Sequence, residues 1–189
     1  MTIASLLKHC LQLFFQTEKA WESIASQSCK PKQLFLYLLP LLLFMAACNF
    51  LGYQFFEQNP LQEINMHLFA AGATFVFSLL YIYISALMTS QFAHFTIRTE
   101  RFKRAFTLIT FSFIPGIIFN SIAFLIPMIN YLTIFSLFSF FVLYKGISPM
   151  LSIPENRKSG YFTFILIGLL SISAVLGAFF IGIASLMGF

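Results

Sequence analysis

The sequence predicts an all-α integral membrane protein with five transmembrane helices, an N-terminus in the cytoplasm, a C-terminus outside, and an interfacial amphipathic segment in front. Two observations lead there. Hydrophobic residues make up 59% of the 189-residue chain, charged residues only 9%, and 27 residues are Phe. A soluble domain carries about 25% charged residues, so these few charges cannot cover a water-facing surface. The charges are also sorted: all 11 Lys and Arg fall in three short stretches on one side of a five-span layout. The positive-inside rule assigns that side to the cytoplasm.

Residues 1–32 form the interfacial segment and residues 33–189 the transmembrane domain. In the former, Ile3, Leu6, Leu7, Cys10, Leu11 and Phe14 recur at helical spacing, with Lys8, His9, Gln12 and Gln16 opposite. That pattern suits a helix at the membrane surface, its apolar face in lipid or against the bundle. Such a face serves as an anchor or receives a partner helix. Thr17 before Glu18 marks a fresh helix start. Trp21 and Ile24 extend the apolar face until Lys30-Pro31 turns the chain into the membrane.

A span needs about 20 apolar residues. Charge-free intervals at 33–56, 64–97, 105–144 and 159–189 hold one, one, two and one. The expected spans are 34–51, 68–91, 105–126, 128–145 and 161–186. The third interval turns at residues 126–130, where Pro127 ends one helix and Asn130 starts the next. Lys8, Lys19, Lys30 and Lys32 then precede span one, Arg98, Arg101, Lys103 and Arg104 follow span two, and Lys145, Arg157 and Lys158 follow span four. Only Glu57 and Glu63 face the other way. Cys48, after two alanines in "LLLFMAACNF", superficially resembles a lipoprotein signal, but 32 residues precede its stretch. Cys48 is therefore a small residue inside span one, and no disulfide is expected with Cys10 and Cys29.

No Asp, Glu, Lys or Arg lies near mid-membrane, which counts against a proton-coupled pump. Milder polar groups remain. Thr74, Ser78, Tyr81, Ser85 and Thr89 form one stripe on span two, and Thr133, Ser136 and Ser139 a shorter one on span four. Asn49, Asn120 and Asn130 lie at or near lipid depth. Interhelical hydrogen-bonded seams account for such groups, and a solute path is the alternative. Ala174, Ala178 and Gly182 make a small-residue ladder on span five, for packing in the bundle or between copies.

Glu57, Glu63 and His67 are the best metal candidates, and three residues at a span entrance fall short of a motif. No metal, other cofactor or catalytic residue is expected. No nucleophile–base pair, phosphate loop or nucleic-acid module occurs, and the sequence sets no catalytic motif around His94 or His67 for a membrane-embedded enzyme. The basic residues follow from topology without any nucleic acid.

Two stretches are more specific. "RFKRAFTLITFSFIPGII" (101–118) and "LYKGISPMLSIPENRKSGYF" (143–162) flank the turn at Pro127. This order resembles the Ypt-interacting-protein (Yip) family of five-span membrane proteins in its bacterial form. Phe102, Lys103 and Pro115 fill the family's entry into span three, and Tyr144, Gly146, Pro154, Glu155 and Lys158 its exit from span four. "TEKAWESI" (17–24) is similar to the segment before span one. One departure is "AHFTIRTERF" (93–102), which lacks the glycines common there, so that this loop is expected to be more helical. The resemblance implies the five-span fold and a bacterial inner-membrane location. Eukaryotic relatives partner small prenylated GTPases in secretory traffic, which a bacterial-type member is not expected to have.

The function expected is a non-enzymatic scaffold that binds anionic lipid headgroups, a protein partner or a second copy of itself. Its surface would be Arg98, Arg101, Lys103 and Arg104 with Tyr144, Lys145, Gly146, Pro154, Glu155, Arg157 and Lys158. The alternative is a small solute transporter or channel along Thr74, Ser78, Tyr81, Ser85, Thr89, Asn120 and Asn130, between spans two, three and four.

Overall fold

The computed structural model describes residues 12–26, 31–56, 64–93 and 98–186, together with Gly188. Among the described residues every regular element is helical, and five helical stretches are long and apolar enough to cross a membrane: Pro31–Phe56, Ile64–Ser90, Thr99–Leu125, Pro127–Leu151 and Glu155–Leu186. The helices are α1 (Thr17–Ser26), α2 (Pro31–Phe56), α3 (Ile64–Ser90), α4 (Arg98–Leu125), α5 (Phe138–Leu151) and α6 (Lys158–Leu186). Tighter 3₁₀ stretches at Pro127–Leu137 and Glu155–Arg157 lead into α5 and α6.

Helix α4 is the axis of the bundle and the most buried span. It packs on α2, α3 and α5, and Leu108, Ile109 and Phe111 on it are fully buried. Helix α6 lies at the edge, against α3 and α5. Its buried apolar residues are Ile165, Leu169 and Leu176. Ala174, Ala178 and Gly182 are exposed, so the small-residue ladder does not pack this bundle.

Three boundaries differ from the sequence-based expectation. Arg98, Arg101, Lys103 and Arg104 belong to the first turns of α4, not to a loop. With no glycine or proline to interrupt it, the basic stretch stays helical. Glu100 in the first turn favours that start and pairs with Lys103 at 3.3 Å.

At the far end of α4, Pro127 opens the next helical stretch instead of closing the last one. Its missing N–H is no loss at a first helical position. A kink at Ile129 (φ −106°, ψ 27°) divides this stretch, so that Asn130 begins its second, separate 3₁₀ piece, in keeping with the short runs usual for that geometry. Hydroxyls fit this register: Thr133 Oγ1 donates to the Asn130 carbonyl at 2.8 Å and Ser136 Oγ to the Thr133 carbonyl at 2.6 Å.

The third difference is at the end of span four. Helix α5 continues through Lys145, Gly146 and Pro149 to Leu151, and stops at Ser152 with φ 55°. Pro149 deprives only the Lys145 carbonyl of its helical partner, which the last turn tolerates.

Candidate functional site

The N-terminal helix sets up the site. Leu13, Ala20, Trp21 and Ile24 are buried against the bundle, so this part of the apolar face is occupied by the chain's own helices, while Ile3, Leu6, Leu7, Cys10 and Leu11 lie outside the described residues. Thr17 does not cap α1: its Oγ1 donates back to the Leu13 carbonyl at 2.9 Å. Trp21 is the anchor. It is fully buried, its Nε1 donates to the Val142 carbonyl at 3.0 Å, and its ring meets Phe111 edge-on at 6.4 Å. Gly146 makes room for it, since a Cβ there would stand 2.5 Å from Trp21 Cε2 and 2.6 Å from Leu108 Cδ1. Arg104 Nη1 donates to the Ala25 carbonyl at 2.8 Å and so fixes the C-terminal end of α1 to α4.

The residues after Gly146 complete this corner. Pro154 precedes the 3₁₀ turn Glu155–Arg157, which turns the chain into α6. Tyr144 meets Phe162 edge-on at 5.2 Å and lies 4.9 Å beneath Lys158 Nζ. Lys158 is also bonded to Glu155 at 3.2 and 3.3 Å, and Lys145 to Glu18 at 2.6 Å. Between these groups opens a cleft of about 390 Å³, bounded by Glu18 and Glu22 of α1, Lys145 and Ser148 of α5, and Glu155 and Lys158 beyond it.

Its electrostatics differ from a basic patch. The carboxylates form the rim, with the Glu18 and Glu155 side chains 71% and 72% exposed. The ammonium groups form the floor, with Lys145 and Lys158 at 30% and 9%. Both lysines are paired, and three carboxylates outnumber them. Lys103 is likewise paired with Glu100. Arg157 is exposed.

The hydrogen bond and charge of Lys145 hold the Glu18 carboxyl below its ordinary value of 4.5. A carboxyl depressed in the folded state stabilises that state above its unfolded pKa, and the contribution fades as pH falls through the folded value. The docking of α1 is therefore expected to loosen on acidification from pH 5 to 3, read as a red shift of Trp21 emission. Glu18→Gln should flatten this response, and an identical response in that variant would remove Glu18 as its source.

Polar groups inside the bundle are divided between two places. Asn49 Nδ2 donates to Thr74 Oγ1 at 2.6 Å, which joins α2 to α3. Ser78, Tyr81, Asn120, Ser136 and Ser139 meet around a cavity of about 180 Å³ among α2, α3, α4 and α5, otherwise walled by aromatic and aliphatic side chains. Gly116 N donates to Ser139 Oγ at 2.9 Å on its wall. Ser85 and Thr89, further along the stripe, are wholly buried, so the stripe is closed beyond Tyr81. Asn130 borders a separate hollow of about 230 Å³ with Asn49 and Pro127.

Of the metal candidates, Glu57 and Glu63 lie outside the described residues, as does His94. The His67 ring stacks on Tyr53 at 5.6 Å, with Nδ1 3.4 Å from Gln54 Oε1. Among the described residues no three His, Cys, Asp or Glu come together as metal ligands.

Glu18, Glu22 and Ser148 were not apparent as site residues in the sequence. The available signal was a lone Trp between two glutamates four apart, which places both acids on one helix face.

The family model described as Yip1 domain matches residues 11–177. The chain matches no curated protein and no solved structure.

Proposed function

This chain belongs to the Yip family, and we propose that it serves as a non-enzymatic membrane scaffold whose working surface is the end bearing the cleft. We assign that end to the cytoplasm, because the Lys and Arg residues gather there, and the protein to a bacterial inner membrane. The observation that carries the reading is the cleft between α1 and the start of α6. Ending one span and starting another requires a turn. Here three separate parts of the chain are instead held together by Trp21, Gly146, the Glu18–Lys145 ion pair and the contacts of Lys158 and Phe162 with Tyr144, around an open, charged hollow. A surface so built, and exposed at its rim, suits lipid headgroups and a protein partner.

Photocrosslinking amino acids at Glu22 and Arg157, compared with Met128 and Tyr131 at the opposite end, test this in intact cells. All four positions are exposed. The scaffold reading expects one discrete adduct at the cleft end and none at the other, with an adduct of twice the chain's mass identifying a second copy. Equal labelling at both ends overturns it, and no adduct at the cleft end removes its protein partner.

A transporter reading draws on the cavity beside Ser78, Tyr81 and Asn120. Against it stand that cavity's small volume, its largely apolar walls, and the buried Ser85 and Thr89.

A further inference from the structure

We propose that the cleft is a headgroup site for a phospholipid with a zwitterionic, primary-ammonium headgroup, the class of phosphatidylethanolamine. The inference deepens the reading of this end as a lipid-binding surface and rests on it. It replaces the anionic headgroup expected from net charge alone.

The arrangement of charge selects the class. Lys145 and Lys158 on the floor are each paired with one carboxylate and offer one phosphate their remaining N–H donors. Glu18, Glu22 and Glu155 provide acceptors above it for an ammonium, which has three N–H donors. An anionic headgroup with no ammonium would set its phosphate beneath three carboxylates without an answering cation. A trimethylated ammonium brings the charge but no N–H to donate.

The apolar side of the site points the same way. Lys145 Nζ lies 5.9 Å from the centre of the Phe141 ring, so apolar surface begins directly beneath the cleft floor. Phe141, Leu137 and Ile134 follow one another down that face of span four and are 47%, 59% and 65% exposed. A headgroup in the cleft thus leaves an acyl chain lying along these three side chains. A soluble peptide or free phosphate has no use for that stripe.

Trp21 lines the cleft and is the chain's one Trp, so its fluorescence reports the site. The full chain is reconstituted in phosphatidylcholine vesicles with increasing fractions of a dibrominated test lipid, whose bromines quench nearby indole. Dibrominated phosphatidylethanolamine is expected to give half-maximal quenching at about one-third the mole fraction needed by dibrominated phosphatidylglycerol, the size of effect one partly exposed ion pair supplies. Glu155→Gln and Glu22→Gln should each narrow that difference. Because Glu22 is exposed, its variant keeps the test available where Glu155→Gln does not insert.

Equal or stronger quenching by phosphatidylglycerol, equal quenching by dibrominated phosphatidylcholine, or an undiminished preference in both variants overturns the proposal. Absence of a photo-adduct with the preference retained removes the protein-partner reading and leaves this one. The reverse outcome removes this one alone.

Discussion

Trp21→Ala is expected to release α1 from the bundle at a cost of about 3–5 kcal/mol, the range for truncating a large buried aromatic. The side chain is fully enclosed, and its loss leaves a hole between Gly146, Leu108 and Phe111 that these neighbours cannot fill. Trp21→Phe separates packing from hydrogen bonding. It keeps much of the apolar volume but leaves the Val142 carbonyl without the indole N–H, a loss of about 1 kcal/mol. Equilibrium unfolding in micelles, followed by far-ultraviolet circular dichroism, measures both variants without the indole signal. Limited proteolysis should cut Trp21→Ala within α1 first, while the spans stay protected. Equal stability of Trp21→Ala and the parent chain would mean that α1 is not anchored as described.

The consequence for function follows from where α1 sits. Glu18 and Glu22 are placed in the cleft only because Trp21 holds the helix that bears them. Trp21→Ala therefore dismantles the rim from a distance, whereas Glu22→Gln changes one rim charge in an intact frame.

How much of this was legible in the sequence divides along physical lines. Spans were readable because hydropathy is a property of local composition: four charge-free intervals, one long enough for two spans, need no knowledge of what they touch. The same holds for the sorting of Lys and Arg. What could not be read was pairing across the chain. Trp21 and Val142 are 121 residues apart, and Glu18 and Lys145 are 127 apart. Lys145 and Lys158 therefore looked like surface cations when counted alone, and only the return of α1 and the Glu155 turn shows them neutralised.

The short pattern around Tyr144 and Gly146 was visible as a pattern, but its reason was not. Gly146 is small because an indole from another helix enters there, and Tyr144 is aromatic because Lys158 and Phe162 lie on it. Prolines misled in a consistent way. Pro127 was expected to stop a helix yet occupies a first helical position, and span four, expected to end at residue 145, runs on with Pro149 in its last turn. In both places the missing N–H costs little.

Gly52→Ala and Gly72→Ala, a single methyl added to neighbouring spans, are expected to act in opposite directions. Gly52 on α2 faces the last turn of α4, where an added Cβ would stand 1.8 Å from the Phe124 carbonyl oxygen. The obstacle is backbone, so no side-chain rotation relieves it, and α2 or α4 must move. Overpacking of this kind costs about 1–3 kcal/mol where side chains can yield, and a backbone clash belongs at the top of that range or above it. The displacement also strains the Asn49–Thr74 bond, which lies about one helical turn from Gly52 on α2. Gly72 on α3 has nothing within 4 Å of its added Cβ. Alanine there should stabilise by about 0.5–1 kcal/mol, through the lower backbone entropy lost in forming the helix. Micelle unfolding of the two variants reads this difference directly, with Asn49→Leu in the Gly52→Ala background testing whether the strained bond contributes. Equal effects at both positions would mean that α2 and α4 do not meet at Gly52, and that the hollow beside Asn130 has a different wall.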